Sequence, residues 1–198
     1  MYTTDRLLLR AYEDEDKRDI LALYNDPSVS RYISFDHLVP RDAAYFDTRI
    51  RPSISGRLFY AVIPEPRTFV GEVALSLTGH TAKNRDVTVG IAIRQGMQGR
   101  GYGTEVLRWL VDYTFRALGM HRLSLDVFGS NVGAYRIYKR MRVVGFVEEG
   151  RLREAVRTPE GTWDDLIYMG ILEDEWRIRC EDRSSARDEP AQVRARTQ

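Results

Sequence analysis

The chain has 198 residues, a net charge of +1, 43% hydrophobic residues and 30% charged residues, which suits one soluble domain with its own core, or one domain plus tails. The near-neutral charge excludes a bulk attraction to nucleic acid, and no run of 18 apolar residues could span a membrane. One cysteine excludes a disulfide framework, and the start shows no signal-peptide pattern, so we expect a cytoplasmic protein.

The first part of the chain predicts strands and helices in turn. A short strand over Arg6–Tyr12 precedes an acidic and then apolar run, which predicts a helix ending before Pro27. A proline at a helix start and apolar residues at helical spacing predict a second helix over Pro40–Ile50. Strand-forming runs follow at Leu58–Pro64 and Thr68–Leu77, with a proline-containing turn between them.

The strand predicted over Asp86–Arg94 has two unlike faces. Its odd-numbered residues are branched and apolar, whereas Thr88, Gly90 and Ala92 leave the other face with little side-chain bulk. Such a face fits close packing against a helix, and it fits equally well an extended ligand lying against the strand.

The second half of the chain alternates helices and strands. Apolar residues at helical spacing predict a helix over Gly103–Gly119, and an asparagine in the N-cap position opens another over Asn131–Val143. A strand over His121–Phe128 lies between them. The stretch Gly150–Leu172 is typical of a hairpin that turns at TPEG. The order of elements indicates a mixed α/β sheet.

The composition changes after Arg179, where the sequence becomes polar and loses its periodicity. Such a segment cannot bury enough apolar surface to order itself. We therefore expect one domain over residues 1–179 and a disordered tail over residues 180–198.

The glycine-rich turn before the helix at Gly103 is the most informative stretch. The first amides of a helix lack partners within it, and glycines let a bulky anion approach them, so this turn suits phosphate or pyrophosphate. A P-loop is excluded because Tyr102 stands at the lysine position. A Rossmann turn keeps only Gly99 and Gly101, because Thr104 replaces its third glycine.

The same turn matches the pattern Gln/Arg-x-x-Gly-x-Gly/Ala in full, from Gln98 to Gly103. It resembles the coenzyme A pyrophosphate loop of the GNAT N-acetyltransferases, and the motifs LSLDVFGSN, AYRIY and VVGFVEEG follow in that family's order. The opening RLLLR and the closing EGRLREAV and DDLIYMGIL resemble its ribosomal-protein-acetylating (RimJ/RimL-type) branch. The resemblance covers roughly Thr4 to Glu175. It implies an α/β fold with a GNAT-like, mostly antiparallel central sheet flanked by helices and a strand–loop–helix CoA site.

The resemblance also assigns residues to acetyl-CoA, the expected co-substrate: Ile91, Ala92, Ile93, Gln98, Gly99, Arg100, Gly101, Tyr102, Gly103, Thr104 and Asn131. Tyr138 corresponds to the family's tyrosine that protonates the leaving sulfur, although core packing would also explain an aromatic residue there. Relatives have two or three residues between this tyrosine and Gly-Phe. Here KRMRVV intervenes before Gly145 and Phe146, which predicts about one extra helical turn.

The general base is less clearly marked. Thr88 stands where many relatives carry a glutamate, and a threonine cannot act as a base. Glu72 on the neighbouring strand is the best substitute, Asp126 is the second candidate, and deprotonation through water is the third. We interpret Glu105, in the first turn of the helix, as a complement to the helix dipole.

The expected function is an acetyl-CoA-dependent N-acetyltransferase whose acceptor is a protein N-terminal α-amine or a small amine such as a polyamine. The α-amine is slightly favoured, since its pKa of ~8, against ~10.4 for an alkylamine, demands less of a base. The alternative is a non-catalytic CoA-binding module that acts as a sensor or interaction protein. No metal is expected, because the three histidines lie far apart. Neither nucleic acid nor a membrane is expected as a partner, and a homodimer is left open.

Overall fold

A computed structural model of the chain describes residues 1–55, 58–64, 68–76, 81–140 and 145–188. The strands are β1 (Tyr2–Thr3), β2 (Leu7–Arg10), β3 (Leu58–Pro64), β4 (Gly71–Ser76), β5 (Asp86–Ile93), β6 (Arg122–Phe128), β7 (Val147–Arg157) and β8 (Trp163–Leu172). The helices are α1 (Lys17–Asn25), α2 (Pro27–Ser30), α3 (Ala43–Tyr45), α4 (Arg51–Ser55), α5 (Thr81–Asn84), α6 (Tyr102–Arg116), α7 (Val132–Lys139) and α8 (Glu173–Asp188). A π-helical turn, Phe46–Ile50, joins α3 to α4.

The eight strands form one sheet in the order β1-β2-β3-β4-β5-β6-β8-β7. Neighbouring strands run antiparallel, except that β5 and β6 are parallel. This parallel pairing is short, running from Asp86 opposite Arg122 to Thr88 opposite Ser124. Because β5 continues to Ile93 and β6 to Phe128, the two strands separate beyond these pairs. We call the space between them the gap.

Helices cover the two faces of the sheet differently. On one face, α6 buries Leu107 and Leu110 against odd-numbered strand residues such as Val89 and Leu125, in the larger of the apolar clusters. On the other face, α1 and the π-helical turn enclose Ala92 in a second cluster. Farther along this second face the sheet is open, since Gly90 and Asp126 are exposed. We call it the cleft face.

The predicted elements are largely confirmed. The helix expected over Gly103–Gly119 is α6, which buries its apolar stripe and ends before Gly119, where a φ of +60° suits glycine. The predicted hairpin is β7–β8. The second predicted helix begins at Ala43 rather than Pro40, because Asp42 caps it by accepting the backbone N–H of Tyr45.

The helix expected over Asn131–Val143 ends as α7 at Lys139, and residues 141–144 lie outside the described part of the chain. The backbone N–H of Phe146 donates to the Tyr138 carbonyl at 3.0 Å, and the two rings meet edge to face at 5.9 Å between centroids. The longer connection therefore leaves Tyr138 beside the Gly-Phe pair.

The boundary expected after Arg179 lies inside α8, which runs to Asp188, and the disordered tail stays a prediction. Residues 189–198 lie outside the described residues. Trp176 anchors the helix: its ring stacks on Phe115 at 5.4 Å, and its Nε1 donates to Asp112 at 2.7 Å. A buried aromatic contact of this kind stabilises the docking of the first turns of α8 on α6.

None of the helices in the described segments combines the length and apolarity that crossing a bilayer requires.

We predict that Trp176→Ala lowers the free energy of unfolding by about 3–5 kcal/mol, the usual cost of truncating a buried aromatic residue. Trp176 is 9% exposed, whereas Ile178, on the same helix, is 59% exposed. Ile178→Ala is therefore the control and should cost little. Urea unfolding of the three proteins gives the comparison, and equal losses for the two variants would show that α8 does not dock through Trp176.

Candidate active site

The glycine turn has the backbone geometry that its sequence predicts. Gly99 and Gly101 adopt φ values of +73° and +84°, in the left-handed region that favours glycine. Gly101 is also the N-cap of α6, and no side chain caps the helix there. The first amides of α6, including those of Gly103 and Thr104, are thus left for another acceptor, and an anion is the natural one.

An N-terminal arginine clamps this turn. The Arg6 guanidinium donates to the Arg100 carbonyl at 3.0 Å and lies 4.7 Å from the centre of the Tyr102 ring. It also pairs with Glu105 in the first turn of α6 at 2.7 Å. A side chain on Gly101 would meet it, since a Cβ there would lie 3.3 Å from the guanidinium. The turn is therefore held from outside the α6 segment.

Glu105 binds both Thr4 and Arg6, so its role goes beyond complementing the helix dipole. Its carboxylate accepts hydrogen bonds from the Thr4 hydroxyl at 2.5 Å and from the Arg6 backbone and side chain at 2.9 and 2.7 Å. Burial acts to raise the pKa of Glu105, but these hydrogen bonds and the Arg6 charge outweigh it and lower that pKa. Glu105 is therefore ionised at neutral pH.

Gln98 serves the turn itself. Its side-chain amide donates to the Ile93 carbonyl at 2.9 Å, which ties the turn to the end of β5. On the other side, the Ser28 hydroxyl donates to Gln95 at 2.6 Å and joins α2 to the segment before the turn. The two bonds fix where β5 ends and where the turn begins.

Beyond Thr88, the edge of β5 that faces the gap has no strand partner among the described residues, although the Ile93 carbonyl accepts the Gln98 side chain. The Arg94 amide donates to the Val70 carbonyl, so Arg94 directs its backbone groups to β4. Because the β4–β5 register continues without a shift, every second residue back along β5 does the same. These residues are Thr88, Gly90 and Ala92. The residues that direct theirs into the gap are Val89, Ile91 and Ile93. Ala92 buries its side chain under α1, at 5% exposure, and its expected place at the co-substrate stays a prediction.

Tyr138, the expected acid, lies on α7. Asn131 caps this helix by accepting the Ala134 N–H at 3.2 Å, as its sequence position predicts. The Tyr138 side chain is 8% exposed and packs in the larger cluster. Burial raises the pKa of its hydroxyl far above the usual value, and the negative charge of Asp126 raises it further. Tyr138 therefore keeps its proton at neutral pH.

Glu72 lies on the cleft face, opposite Ala92 in the register of β4 and β5. It is 7% exposed and accepts a hydrogen bond from the Tyr24 hydroxyl of α1 at 2.9 Å. Tyr138 packs beneath the opposite face, so the sheet separates the two residues expected to act as acid and base. Thr88 lies within 3.2 Å of the Ser124 hydroxyl, at the end of the parallel pairing.

Sequence reasoning missed two groups around the site. Arg6 carries no local signal for its role, because its partner Glu105 lies 99 residues away. The second group is an aromatic cluster in which Phe35 and Tyr32 approach Phe128 at 5.3 and 6.4 Å between ring centroids. Phe35 is 65% exposed beside the cleft face. Phe35 lies between the two predicted helices, in a stretch whose sequence shows no pattern that marks a site.

In the described part of the chain, no group of three or more His, Cys, Asp or Glu side chains is arranged to hold a metal ion. The expectation of a metal-free site stays a prediction.

We predict that Glu105→Gln lowers the free energy of unfolding by about 1–2 kcal/mol at pH 7, because hydrogen bonds to a charged group are lost while Arg6 stays half in water. A carboxylate with a lowered folded pKa stabilises above its unfolded pKa and loses that effect as pH falls through the folded value. The difference from wild type should therefore shrink when urea unfolding is repeated near pH 3.

Asp174→Asn is the control for this comparison, since Asp174 is 84% exposed. A Glu105→Gln variant as stable as Asp174→Asn at pH 7 would contradict the clamp.

The chain resembles known acetyltransferases over most of its length. The family model described as an acetyltransferase (GNAT) domain matches residues 6–144. The spermidine N(1)-acetyltransferase of Vibrio cholerae is 28% identical over 89% of this chain and 98% of its own length. An uncharacterized N-acetyltransferase of Bacillus subtilis, YnaD, is 25% identical over 88% of this chain and 98% of its own.

The fold agrees with this sequence similarity. The crystal structure of a Vibrio cholerae spermidine N-acetyltransferase in complex with CoA and spermine superposes with a TM-score of 0.72, at 27% identity, over 86% of this chain and 98% of that one. With the family model matching more than half of the sequence, the chain belongs to the GNAT acetyltransferase family.

Proposed function

We propose that this acyltransferase moves the acetyl group of acetyl-CoA to a primary amine by direct attack of the amine on the thioester. The proposal rests on one observation: the glycine turn, where no side chain caps the start of α6, directly follows the strand edge of β5 that faces the gap. The first can hold a pyrophosphate on backbone amides, and the second can pair with the amides of an extended arm. Their order along one strand matches the order of these parts in acetyl-CoA.

The co-substrate is proposed to be held in two places. The backbone from Gln98 to Thr104 would hold the pyrophosphate, with Gly99 and Gly101 allowing its close approach. Val89 and Ile91 would pair with the arm in the gap, where they direct their backbone groups. One of these amides would also be the donor for the carbonyl oxygen as it becomes an oxyanion.

Tyr138 is proposed as the acid that protonates the leaving sulfur. Its proton is retained at neutral pH, because burial and Asp126 raise its pKa. Loss of solvation would also raise the pKa of the leaving thiol, which favours proton transfer from Tyr138 to the sulfur. The edge-to-face contact with Phe146 holds the ring in place.

The acceptor is proposed to be a small alkylamine, with polyamines first. The support is the likeness to spermidine acetyltransferases over nearly the whole chain. The slight preference for a protein N-terminus rested on the missing glutamate at Thr88 alone. Assignment to the RimJ/RimL-type branch stays a prediction. Thiol release from acetyl-CoA with spermidine, spermine and a short peptide tests the activity and ranks the acceptors.

We predict that Gly101→Val weakens CoA binding at least tenfold in a calorimetric titration. A β-branched residue at a φ of +84° is strained, and its Cβ would displace the Arg6 guanidinium. Gly119→Val introduces comparable strain at a φ of +60° beyond the far end of α6. It should lower stability but leave CoA affinity unchanged, so equal CoA affinities for the two variants would count against the turn.

We also predict that Tyr138→Phe lowers kcat by about 10²–10⁴-fold, the usual contribution of general acid catalysis. The KM for acetyl-CoA should move little, because the ring remains. Tyr135→Phe is the control from the same helix, where the hydroxyl donates to Glu148 at 2.5 Å and has no part in the reaction. Similar small losses in both variants would mean that Tyr138 only packs.

A further inference from the structure

Two carboxylates share the cleft face. Paired residues of neighbouring strands lie on the same face, and alternate residues along a strand return to it. Glu72 pairs with Ala92 on β5, and Thr88, four residues back along β5, pairs with Ser124 on β6. Asp126, two residues beyond Ser124, therefore projects from the same face as Glu72. These carboxylates differ in their position relative to the gap.

Asp126 stands on a wall of the gap. The gap opens directly after the Thr88–Ser124 pair. Asp126 lies two residues beyond Ser124, level with Gly90 on β5 and close to the narrow end of the gap. Gly90 is exposed, and nothing lies within 4 Å of where its Cβ would be. A co-substrate held at the glycine turn and extending back along β5 carries its thioester toward this narrow end.

Glu72 stands elsewhere. It belongs to β4, so the whole width of β5, about 4.8 Å, separates its strand from the gap. In the register it lies level with Ala92, nearer the glycine turn than the narrow end. Its carboxylate accepts a hydrogen bond from the Tyr24 hydroxyl of α1. These contacts make Glu72 part of the attachment of α1 to the sheet.

The surroundings of Asp126 suit an amine. Among the described residues, no other side chain forms a hydrogen bond or ion pair with its carboxylate. Tyr168 lies opposite it on β8 and is 42% exposed. Phe128 lies two residues farther along β6, and the ring of the exposed Phe35 packs against the Phe128 ring. Rings beside a carboxylate attract an ammonium group and cover an alkyl chain. Although the side chain is exposed, the surrounding protein raises the pKa of Asp126 through partial desolvation.

We propose that Asp126 is the catalytic residue that orients the acceptor amine and takes its proton, with Tyr138 acting on the sulfur from the other side of the sheet. This inference rests on the proposed function. The amine first loses its ammonium proton to solvent and binds with an N–H directed at the Asp126 carboxylate. The nitrogen lone pair then forms a bond to the thioester carbon.

As the tetrahedral intermediate collapses, the carbon–sulfur bond breaks and sulfur takes the Tyr138 proton. The nitrogen proton passes to Asp126. The products are the acetylated amine and CoA thiol, and proton exchange with solvent restores both side chains.

The test is a comparison of Asp126→Asn with Glu72→Gln and Asp174→Asn, using the amine that wild type acetylates best. Thiol release gives kcat and KM, and calorimetry gives the affinity for CoA. We expect Asp126→Asn to lower kcat about 10²–10⁴-fold, in the range of general base catalysis, with CoA affinity within twofold of wild type. Glu72→Gln should lose less than tenfold, and the exposed Asp174→Asn should match wild type.

The outcomes separate this inference from the proposed function. Wild type without thiol release on any amine would overturn the proposed function, and this inference with it. An active wild type with kcat of Asp126→Asn within threefold would overturn the role of Asp126 alone, as would a larger loss in Glu72→Gln. If Asp126→Asn no longer binds CoA, Asp126→Ser is measured in its place, because a serine already occupies position 124 on this face. The same limits on kcat then apply to Asp126→Ser.

Discussion

The separation of β5 from β6 after a short parallel pairing is the constraint on which the site depends. A sheet normally pairs every interior strand along both edges, and an unpaired buried edge costs free energy for each orphan group. Here the edge of β5 beyond Thr88 keeps its N–H and C=O groups without a strand partner, while β6 turns away toward Phe128. A ligand with amides of its own could satisfy these groups, and in the proposed function the glycine turn at the end of the same strand would hold its anionic end.

The separation also divides the chemistry between two faces. One face is filled by α6, α7 and α8, and it presents Tyr138 from an apolar cluster that keeps the hydroxyl protonated. The other face is filled by α1 only at the Ala92 end and stays open around Asp126. If the proposed roles hold, the buried Tyr138 and the exposed Asp126 would lie on either side of the thioester, with the sheet between them.

The sequence predicts what is local and misses what is distant. The glycine turn could be predicted because positive φ values and an uncapped helix start follow from a few adjacent residues, and α6 because its apolar spacing is regular. The Arg6–Glu105 clamp could not, since its partners are 99 residues apart and each looks like an ordinary surface charge. The docking of α8 on α6 depends on Trp176 reaching Phe115, and a polar composition hides that contact. The longer connection after Tyr138 suggested a longer helix. The backbone N–H of Phe146 nevertheless donates to the Tyr138 carbonyl, so the Gly-Phe pair lies beside Tyr138.

Amide hydrogen exchange with and without CoA measures the backbone N–H groups of β5 one at a time. We expect the amides of Val89 and Ile91, which face the gap, to become protected when CoA binds. Those of Gly90 and Ala92, already directed to β4 in the register, should change little. Protection confined to the glycine turn, with Val89 and Ile91 exchanging as before, would contradict binding of the co-substrate along the gap.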